Sequence, residues 1–400
     1  MPIIKCDECG RSFNLQEAQY GKVKCKCGAI LRGPAKGAGA DIIAPKASAA
    51  ADDGGASDPG PQLSDMDAIK ALKTAYDGLR QEMAQIIVGQ DRVVEEILIA
   101  IFAKGHCLLE GVPGLAKTLM ISSLARCLDL SFKRVQFTPD LMPSDITGTE
   151  VIQDDKSTGE RVFRFIKGPI FCNICLADEI NRTPPKTQAA LLEAMQEKSV
   201  TVGGNQHKLS PPFFVLATQN PLEQEGTYPL PEAQLDRFLF KIFVDYPTDD
   251  EELEIMKRGT MPSKVQIKPV ITGDQIMKLQ EIVLRVPVAE HVFAYAKKIV
   301  RSTRPNTPEA PDFIKNWISW GAGPRASLNL IMAGKARAIL NGQFHVSCED
   351  VAQVAPSVMR HRLACNFTAQ AEGLTSDKVI EKLLAHVPKN EKLSAAAAAS

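Results

Sequence analysis

Short apolar runs alternate with helical periodicities through the middle of the chain. In the stretches between the runs, apolar residues recur every three or four positions, which is the period of a helix with one buried face. A strand that is buried on both faces reads as a continuous apolar run. Strands that alternate with helices predict an α/β fold, with a mainly parallel sheet in a three-layer αβα arrangement. The predicted strands lie at residues 107–109, 135–137, 171–177, 213–217 and 240–244.

Helical patterns flank these strands on both sides. Apolar spacing predicts a helix that begins at Ser64 and a second helix over about 91–104. Thr248 and Glu251 stand at the spacing of a capping box, and mostly helical periodicity then continues to about His386. We therefore predict one α/β domain over 64–247 and a separate α-helical domain over 248–388.

The two ends of the chain differ from its centre. Residues 1–32 read as a small hairpin-rich module. Residues 33–63 are dominated by Ala, Gly, Pro, Asp and Ser, which predicts a flexible linker with too few apolar groups to fold. Residues 389–400 contain a run of alanines before Ser400 and are predicted to be a low-complexity tail.

Composition and charge exclude several classes of protein. The 400 residues are 44% hydrophobic and 24% charged, which is ordinary for globular proteins and excludes wholesale disorder. Lys and Arg number 47, as do Asp and Glu, so no global basic field exists to attract nucleic acid. We find neither a long apolar span nor an apolar signal segment, and we expect a cytoplasmic protein that is not integral to a membrane.

Four of the ten cysteines stand close together near the amino terminus. Cys6 and Cys9 form a CxxC pair, and Cys25 and Cys27 follow after fifteen intervening residues, which resembles a zinc ribbon with four thiolate ligands. A unit of this size has too small a core to fold without such a metal. A redox thiol pair and an iron site remain alternatives. The other six cysteines stand in apolar segments and are predicted to lie in the core.

A glycine-rich segment after the first predicted strand has the form of a phosphate-binding loop. Backbone N–H groups of such a loop and of the following helix cradle phosphates, the Lys117 amine reaches the β- and γ-phosphates, and the Thr118 hydroxyl ligates Mg²⁺. Ala116 stands where the common pattern has Gly, and a methyl group is tolerated at this position if the residue is helical. The predicted nucleotide-binding residues here are Gly111, Val112, Pro113, Gly114, Leu115, Ala116, Lys117, Thr118 and Leu119.

Polar residues follow two further predicted strands. Asp178 and Glu179 come at the end of one, at the carboxyl edge where α/β sheets place ligands. We expect Asp178 to hold Mg²⁺ through water and Glu179 to activate the attacking water. Asn220 follows the next strand and is expected to help fix that water near the γ-phosphate.

Two arginines are candidates for the transition state of phosphoryl transfer. Arg237 precedes a strand and could reach a neighbouring subunit's nucleotide as an arginine finger, although an intrachain partner at Asp236 or Glu232 is an alternative. Arg325 stands in the first turn of a predicted helix. Because a cation is unfavourable at a helix N-terminus, an anion partner is expected to come with the nucleotide.

Residues from about 64 to 388 closely resemble the MoxR family of AAA+ ATPases. The resemblance rests on five segments in the family's order: GVPGLAKT, LADEINR, ATQNP, EGTYPLPEAQLDRF and GAGPRAS. It implies an αβα nucleotide domain, an α-helical lid and a ring, commonly hexameric, that binds ATP between subunits.

The same resemblance assigns roles to individual residues. Lys117 and Thr118 fall on Walker A, and Asp178 and Glu179 fall on Walker B. The remaining matches are Asn220 on sensor 1, Arg237 on the arginine finger, Arg325 on sensor 2, and Val88, Gly89 and Gln90 on the adenine pocket. ATP is expected to close the lid through Arg325. Two insertions, residues 137–167 and a hairpin at about 200–205, are expected to face the pore of the ring.

Three functions are open at this point. The resemblance favours a chaperone-like remodeller of protein clients that works with von Willebrand factor A domain partners. A zinc ribbon joined to such a core also suggests a transcription regulator or nucleic-acid motor, but the neutral charge argues against it. The third is a magnesium-chelatase-type motor subunit.

Overall fold

The computed structural model describes residues 3–5, 12–14, 22–24, 30–32, 63–154, 161–223, 226–260 and 266–389. The chain divides into two compact units, residues 1–57 and residues 58–400. The first unit contains two antiparallel strand pairs. Its strands are β1 (Ile3–Lys5), β2 (Ser12–Asn14), β3 (Lys22–Lys24) and β4 (Ile30–Arg32).

The second unit begins with an α/β region. Its elements in chain order are α1 (Leu63–Ala84), α2 (Asp91–Phe102), β5 (Cys107–Glu110), α3 (Lys117–Cys127), β6 (Phe132–Gln136), α4 (Pro143–Thr147), β7 (Gly148–Asp154), β8 (Arg161–Lys167), β9 (Ile174–Asp178), α5 (Pro185–Glu197), β10 (Ser199–Val202), β11 (Asn205–Lys208), β12 (Phe214–Gln219), α6 (Glu232–Leu235) and β13 (Phe240–Phe243). A short 3₁₀ helix, Ile180–Arg182, follows β9.

A parallel five-stranded sheet organises this region, in the order β13-β5-β12-β9-β6. Side chains alternate between its two faces, and each face carries a separate apolar cluster. Leu109 and Leu176 belong to the cluster on the side of α2 and α3. Leu108 and Cys175 belong to the cluster on the side of α5. The predicted three-layer αβα fold is therefore confirmed.

Two predicted strands differ from those in the structure. The strand expected over 171–177 begins only at Ile174, because the chain before it makes a turn in which the Phe171 N–H donates to the Gly168 carbonyl at 3.3 Å. The strand expected over 135–137 is β6, which starts earlier. β6 is an edge strand with exposed Lys and Arg side chains, and these conceal it in the apolar pattern.

The remainder of the second unit is mainly helical. Its elements are α7 (Asp249–Gly259), α8 (Gly273–Arg285), α9 (Glu290–Ser302), α10 (Asp312–Trp317), β14 (Ile318–Trp320), α11 (Pro324–Leu340), α12 (Cys348–Met359), β15 (Ala364–Cys365), α13 (Phe367–Ala371) and α14 (Ser376–His386). The predicted capping box is present at the start of α7, where the Thr248 N–H donates to the Glu251 carboxylate at 2.8 Å. The central helix, α11, packs against α8, α9 and α12, and also against α1 and α2.

Two antiparallel hairpins lie within the predicted insertions. They are β7–β8 and β10–β11. The Phe165 ring stacks on the His207 ring with centroids 3.9 Å apart, so the two hairpins contact each other. None of the described helices is both long and apolar enough to cross a bilayer.

Candidate functional site

The carboxyl ends of β5, β9 and β12 lie side by side, because β12 pairs with both of the other strands. The glycine-rich loop follows β5, Glu179 follows β9, and Asn220 follows β12. The sequence places these segments about 40 to 60 residues apart, and the sheet brings them to one edge. Together they line a cavity of about 360 Å³.

The glycine-rich loop reaches α3 through two residues in the left-handed region. Gly114 has φ +87°, and Ala116, the N-cap residue, has φ +52° and ψ +23°. The condition under which a methyl group is tolerated, a helical Ala116, is therefore not met, because α3 begins only at Lys117. A left-handed conformation costs a residue with a Cβ atom about 1 kcal/mol or more. The common Gly at this position avoids that strain.

The side chain of Lys117, the first residue of α3, reaches back into the glycine-rich loop. Its amine donates to the Gly111 carbonyl and, at 3.1 Å, to the Val112 carbonyl. Burial lowers the pKa of Lys117, and the nearby carboxylates of Asp178 and Glu179 oppose that shift. The loop carbonyls thus hold the ammonium group at the mouth of the cavity, where a phosphate oxygen would be a stronger, charged acceptor.

Asp178 and Glu179 are tied to the neighbouring strand by Thr218, which the sequence analysis did not single out. The Thr218 hydroxyl donates to the Asp178 carboxylate at 2.6 Å and accepts from the Glu179 N–H at 2.8 Å. Glu179 itself has φ +57°, an uncommon conformation for a residue other than glycine. Strain of this kind concentrates at functional sites.

Three further polar residues contact the acidic pair, and the sequence analysis missed all of them. Arg134 on β6 pairs with the Asp178 carboxylate, with nitrogen–oxygen distances of 2.6 and 2.9 Å. Gln136, also on β6, donates to Glu179 at 2.6 Å, and Arg182 donates to the same carboxylate oxygen at 3.1 Å. Both carboxylates are therefore compensated by protein groups. A metal ion at Asp178 would share its carboxylate with Arg134.

Asn220 is 6% exposed, and only one of the two polar atoms of its side chain has a hydrogen-bond partner among the described residues. Its side-chain oxygen accepts from the Leu222 N–H at 3.1 Å, whereas its buried amide nitrogen has no partner among the described residues. An unsatisfied buried donor costs about 1–3 kcal/mol. A phosphate oxygen or a water molecule in this cavity would satisfy it, which fits the predicted role of Asn220.

A larger cavity of about 990 Å³ adjoins the glycine-rich loop and extends to α7. Val88 and Gln90 line it, as do Leu119 and Tyr246. Gly89 stands between Val88 and Gln90 with φ +75°, a conformation that favours glycine, and a Cβ atom there would displace the flexible end of the Glu251 side chain, which would lie 2.4 Å away. Apolar walls with a few polar groups are typical of a nucleobase site.

The two predicted arginines lie together at a different place. Arg237 and Arg325 line one cavity of about 330 Å³, together with Lys104 and Lys198. Neither arginine lines the two cavities at the glycine-rich loop. The Arg325 guanidinium lies 3.5 Å from the Asp236 carboxylate. The expectation that ATP closes the lid on the nucleotide domain through Arg325 stays a prediction.

Arg237 is exposed, and no ion pair joins it to the ranges of the chain that the structure describes. The alternative of an intrachain partner at Asp236 does not hold, because that carboxylate pairs with Arg325 and with Arg362. The Arg237 guanidinium is therefore available to another molecule.

The four amino-terminal cysteines, Cys6, Cys9, Cys25 and Cys27, lie outside the described residues, so the zinc ribbon stays a prediction. Within the described ranges, no group of three or more His, Cys, Asp and Glu side chains could hold a metal ion. Five of the other six cysteines are buried, as expected, and Cys365 is half-buried.

Known proteins match this chain over most of the second unit. The family model described as the ATPase family associated with various cellular activities (AAA) matches residues 106–240, and the AAA lid domain model matches residues 314–383. Chaperone MoxR1 of Mycobacterium tuberculosis is 45% identical over 304 residues, which cover 76% of this chain and 79% of that protein.

The chain belongs to the MoxR family of AAA+ ATPases. A second relative, YeaC of Bacillus subtilis, is 42% identical over 77% of this chain and 92% of its own length. A crystal structure from Cytophaga hutchinsonii, of a protein assigned as an ATPase, has a TM-score of 0.76 and 41% identity. The matched region covers 82% of this chain and 98% of the chain in that crystal structure. This MoxR protein is therefore an ATPase with an AAA+ core and a helical AAA lid.

Proposed function

We propose that this MoxR protein is a chaperone-like ring machine that hydrolyses ATP to remodel or mature protein complexes. The ring is a homo-oligomer, most simply a hexamer, and works on a protein client together with von Willebrand factor A domain partners. The chaperone name of the MoxR1 relative supports this function. Zinc bound by Cys6, Cys9, Cys25 and Cys27 would make the amino-terminal module a docking unit for such partners.

The ring is supported chiefly by the separation of two cavities. The phosphate cavity lies at the glycine-rich loop, and the arginine cavity is lined by Arg237 and Arg325. Among the residues that line the phosphate cavity, Lys117 and Arg134 are offset by Asp178 and Glu179. The side chains of this cavity therefore give a triphosphate no excess of positive charge, although the transition state of its hydrolysis needs cations in addition to Mg²⁺. The arginine cavity has four cations and one carboxylate. If it faces the nucleotide of the next subunit, each site receives the missing charge.

The residues at the sheet edge then have definite roles in hydrolysis. The glycine-rich loop and Lys117 hold the phosphates, and the oxygens of Thr118 and Asp178 hold Mg²⁺, which prefers such ligands. Glu179 orients and activates the attacking water, and Asn220 helps to fix it. Arg237 and Arg325 of the neighbouring subunit stabilise the charge that develops on the transferred group.

An exposed apolar pair on the β7–β8 hairpin supports a protein client. Ile152 and Phe163 are cross-strand partners and are 60% and 72% exposed. Exposed apolar clusters of this kind are typical of surfaces that bind other proteins. A nucleic-acid motor would instead need a basic, aromatic-lined track along the strand it binds.

A trapped complex tests this function. The Glu179→Gln protein with ATP is expected to retain its client through purification from nuclease-treated lysate of its own source, whereas the Lys117→Ala protein is expected to retain none. Co-purification of a von Willebrand factor A domain protein with a subunit of a metalloenzyme or membrane complex would support the proposal. Co-purification of transcription machinery would contradict it.

A second variant tests the hairpin. Adding Phe163→Ser to the Glu179→Gln protein is expected to abolish client retention. Phe293→Ser is the matched control, because Phe293 is an exposed aromatic on α9 of the lid. Equal loss of client in both variants would contradict a specific role of the hairpin.

A further inference from the structure

Three consecutive basic residues follow α12, and all three are buried: Arg360, His361 and Arg362. On the sequence alone, such a run has an ordinary interpretation as satisfied or solvated groups. The Arg362 side chain is only 2% exposed. Burying a guanidinium is costly unless its charge is paired and its N–H groups are bonded, so the partners of Arg362 reveal what the fold gains from it.

All three guanidinium nitrogens of Arg362 donate hydrogen bonds, and most of these bonds are to residues 236–239. Its Nε donates to the Asp236 carboxylate at 2.7 Å. One terminal nitrogen donates to the carbonyls of Asp236 and Phe238 at 2.9 and 2.6 Å. The other donates to the Leu239 carbonyl at 3.3 Å and to the carbonyl of Val358 on α12. A lysine has a single nitrogen and could not make this set of contacts.

The two preceding residues bind the same stretch of chain. The His361 ring lies 3.2 Å from the Phe238 carbonyl through Nε2. Burial lowers the pKa of His361 well below its usual value, so the neutral ring can donate this bond. Arg360 donates to the Lys241 carbonyl at 3.0 Å and pairs with Asp377 on α14 at 2.9 Å. The lid is thereby bonded to the segment that enters β13.

The segment held in this way carries Arg237. Arg362 bonds the backbone on each side of Arg237, at Asp236 and at Phe238. It also binds one oxygen of the Asp236 carboxylate, and Arg325 lies 3.5 Å from the other oxygen. One buried guanidinium therefore fixes the backbone of the first arginine and the carboxylate partner of the second.

We propose that Arg362 is a positioning residue for hydrolysis at the neighbouring subunit's nucleotide. It acts through Asp236 and the backbone of residues 236–239, which set where Arg237 and Arg325 point. Any movement of α12 with the lid reaches both arginines through this connection. The inference rests on the proposed function, in which Arg237 and Arg325 serve the next subunit.

Arg362→Lys is the first test, because it keeps the charge and removes the fork. A misplacement of about 1 Å can reduce a rate by on the order of 10²-fold. We therefore expect kcat for ATP to fall by roughly that factor, with the Kd for ATP unchanged within about twofold. A loss of ATP affinity that matches the loss of kcat would overturn the inference.

Arg337→Lys is the matched control. Arg337 is a lid arginine that pairs with the buried Asp350 at 2.6 Å and does not contact residues 236–239. Its kcat is expected to stay near that of the wild type even if the lid is somewhat destabilised. An equal fall in kcat for Arg337→Lys would show that general damage to the lid explains the effect.

A mixing experiment separates positioning from damage within the same chain. Arg362→Lys subunits keep an intact phosphate cavity, and Glu179→Gln subunits keep intact arginines. Mixing the two impaired proteins is expected to raise hydrolysis above that of either protein alone, because some interfaces then combine both intact halves. If Arg362→Lys does not assemble, as judged by size and unfolding temperature, Asp236→Asn serves in its place, with the same expected rescue.

The corresponding mixture of Arg237→Ala with Glu179→Gln reports on the proposed function itself. Rescue in both mixtures supports the inference. Rescue with Arg237→Ala but not with Arg362→Lys or Asp236→Asn overturns the positioning role and leaves the proposed function standing. Absence of rescue in every mixture overturns the proposed function, and the inference with it.

Discussion

The phosphate cavity and the arginine cavity differ in how they are built. The first is formed by three strand ends and the loop after β5, which the parallel sheet brings together at one edge. The second joins the segment before β13 to the lid helix α11. The first has balanced charge, whereas the second has four cations against one carboxylate. Under the proposed function, the two cavities are unlike halves of an ATPase site, and each chain contributes them to two different sites of the ring.

Lys117→Ala is the change expected to have the largest effect. Its amine is the cation of the glycine-rich loop, and removing a charged partner of a phosphate costs several kcal/mol. ATP affinity is expected to fall by on the order of 10²-fold or more in an equilibrium binding assay with labelled nucleotide. Arg237→Ala is the control from the other cavity and is expected to bind ATP almost normally. Equal losses of affinity in both variants would contradict the division into halves.

Glu179→Gln and Arg237→Ala are expected to slow hydrolysis without preventing binding. Removing a catalytic base costs about 10²–10⁴-fold, and removing an arginine finger about 10³–10⁵-fold. Steady-state release of phosphate gives kcat, and nucleotide titration gives Kd, so the two effects separate. Robust hydrolysis by Glu179→Gln would refute the role assigned to this carboxylate.

The sequence alone predicts the first half well, because its residues stand at strand ends. An apolar run followed by a polar residue locates Lys117, Asp178 and Asn220 without knowledge of the packing, and the strand order then brings them together. Arg134 and Gln136 escaped notice because β6 is an edge strand with a polar pattern. The left-handed conformation of Ala116 also depends on the folded loop.

The sequence predicts the two arginines of the second half but not their arrangement, because that arrangement depends on contacts between distant parts of the chain. Asp236 meets Arg325 and Arg362, which lie 89 and 126 residues further along. No local pattern indicates such pairings. The motif GAGPRAS predicts a helix start with an arginine, and only the docking of the lid shows that Arg325 lies beside Arg237.

Acid is expected to destabilise the folded chain through His361, which is bonded to the segment that carries Arg237. Its pKa is lowered by burial, so the folded chain keeps the ring neutral while the unfolded chain takes up a proton below about pH 6.5. Stability is therefore present above pH 6.5 and is lost as the pH falls below it, by on the order of 1 kcal/mol per pH unit. Denaturant unfolding between pH 7.5 and about 5 measures this slope.

His361→Gln is the control for this pH dependence, because glutamine can still donate to the Phe238 carbonyl and does not titrate. Its slope is expected to be smaller than that of the wild type. It should not vanish, since burial also lowers the pKa of His106 to about 4 and that residue is unchanged. Identical slopes in the two proteins would show that His361 does not contribute.

Ala116→Gly is expected to have the smallest effect and lies in the phosphate half. Glycine relieves the left-handed strain but adds freedom to the unfolded chain, so the free energy of unfolding should rise by about 1 kcal/mol at most. Ala326→Gly, in the first turn of α11, is the matched control and should lower it. A destabilised Ala116→Gly protein would contradict the conformation of the loop.

A mixture of Arg325→Ala and Glu179→Gln proteins tests the central claim most directly, by its rate of ATP hydrolysis. If Arg325 serves the neighbouring subunit, about a quarter of the interfaces in a random one-to-one mixture combine an intact phosphate cavity with intact arginines. We predict that the mixture hydrolyses ATP well above either protein alone. If Arg325 instead acts on the nucleotide of its own chain, the mixture will be no more active than its components, which would contradict the account.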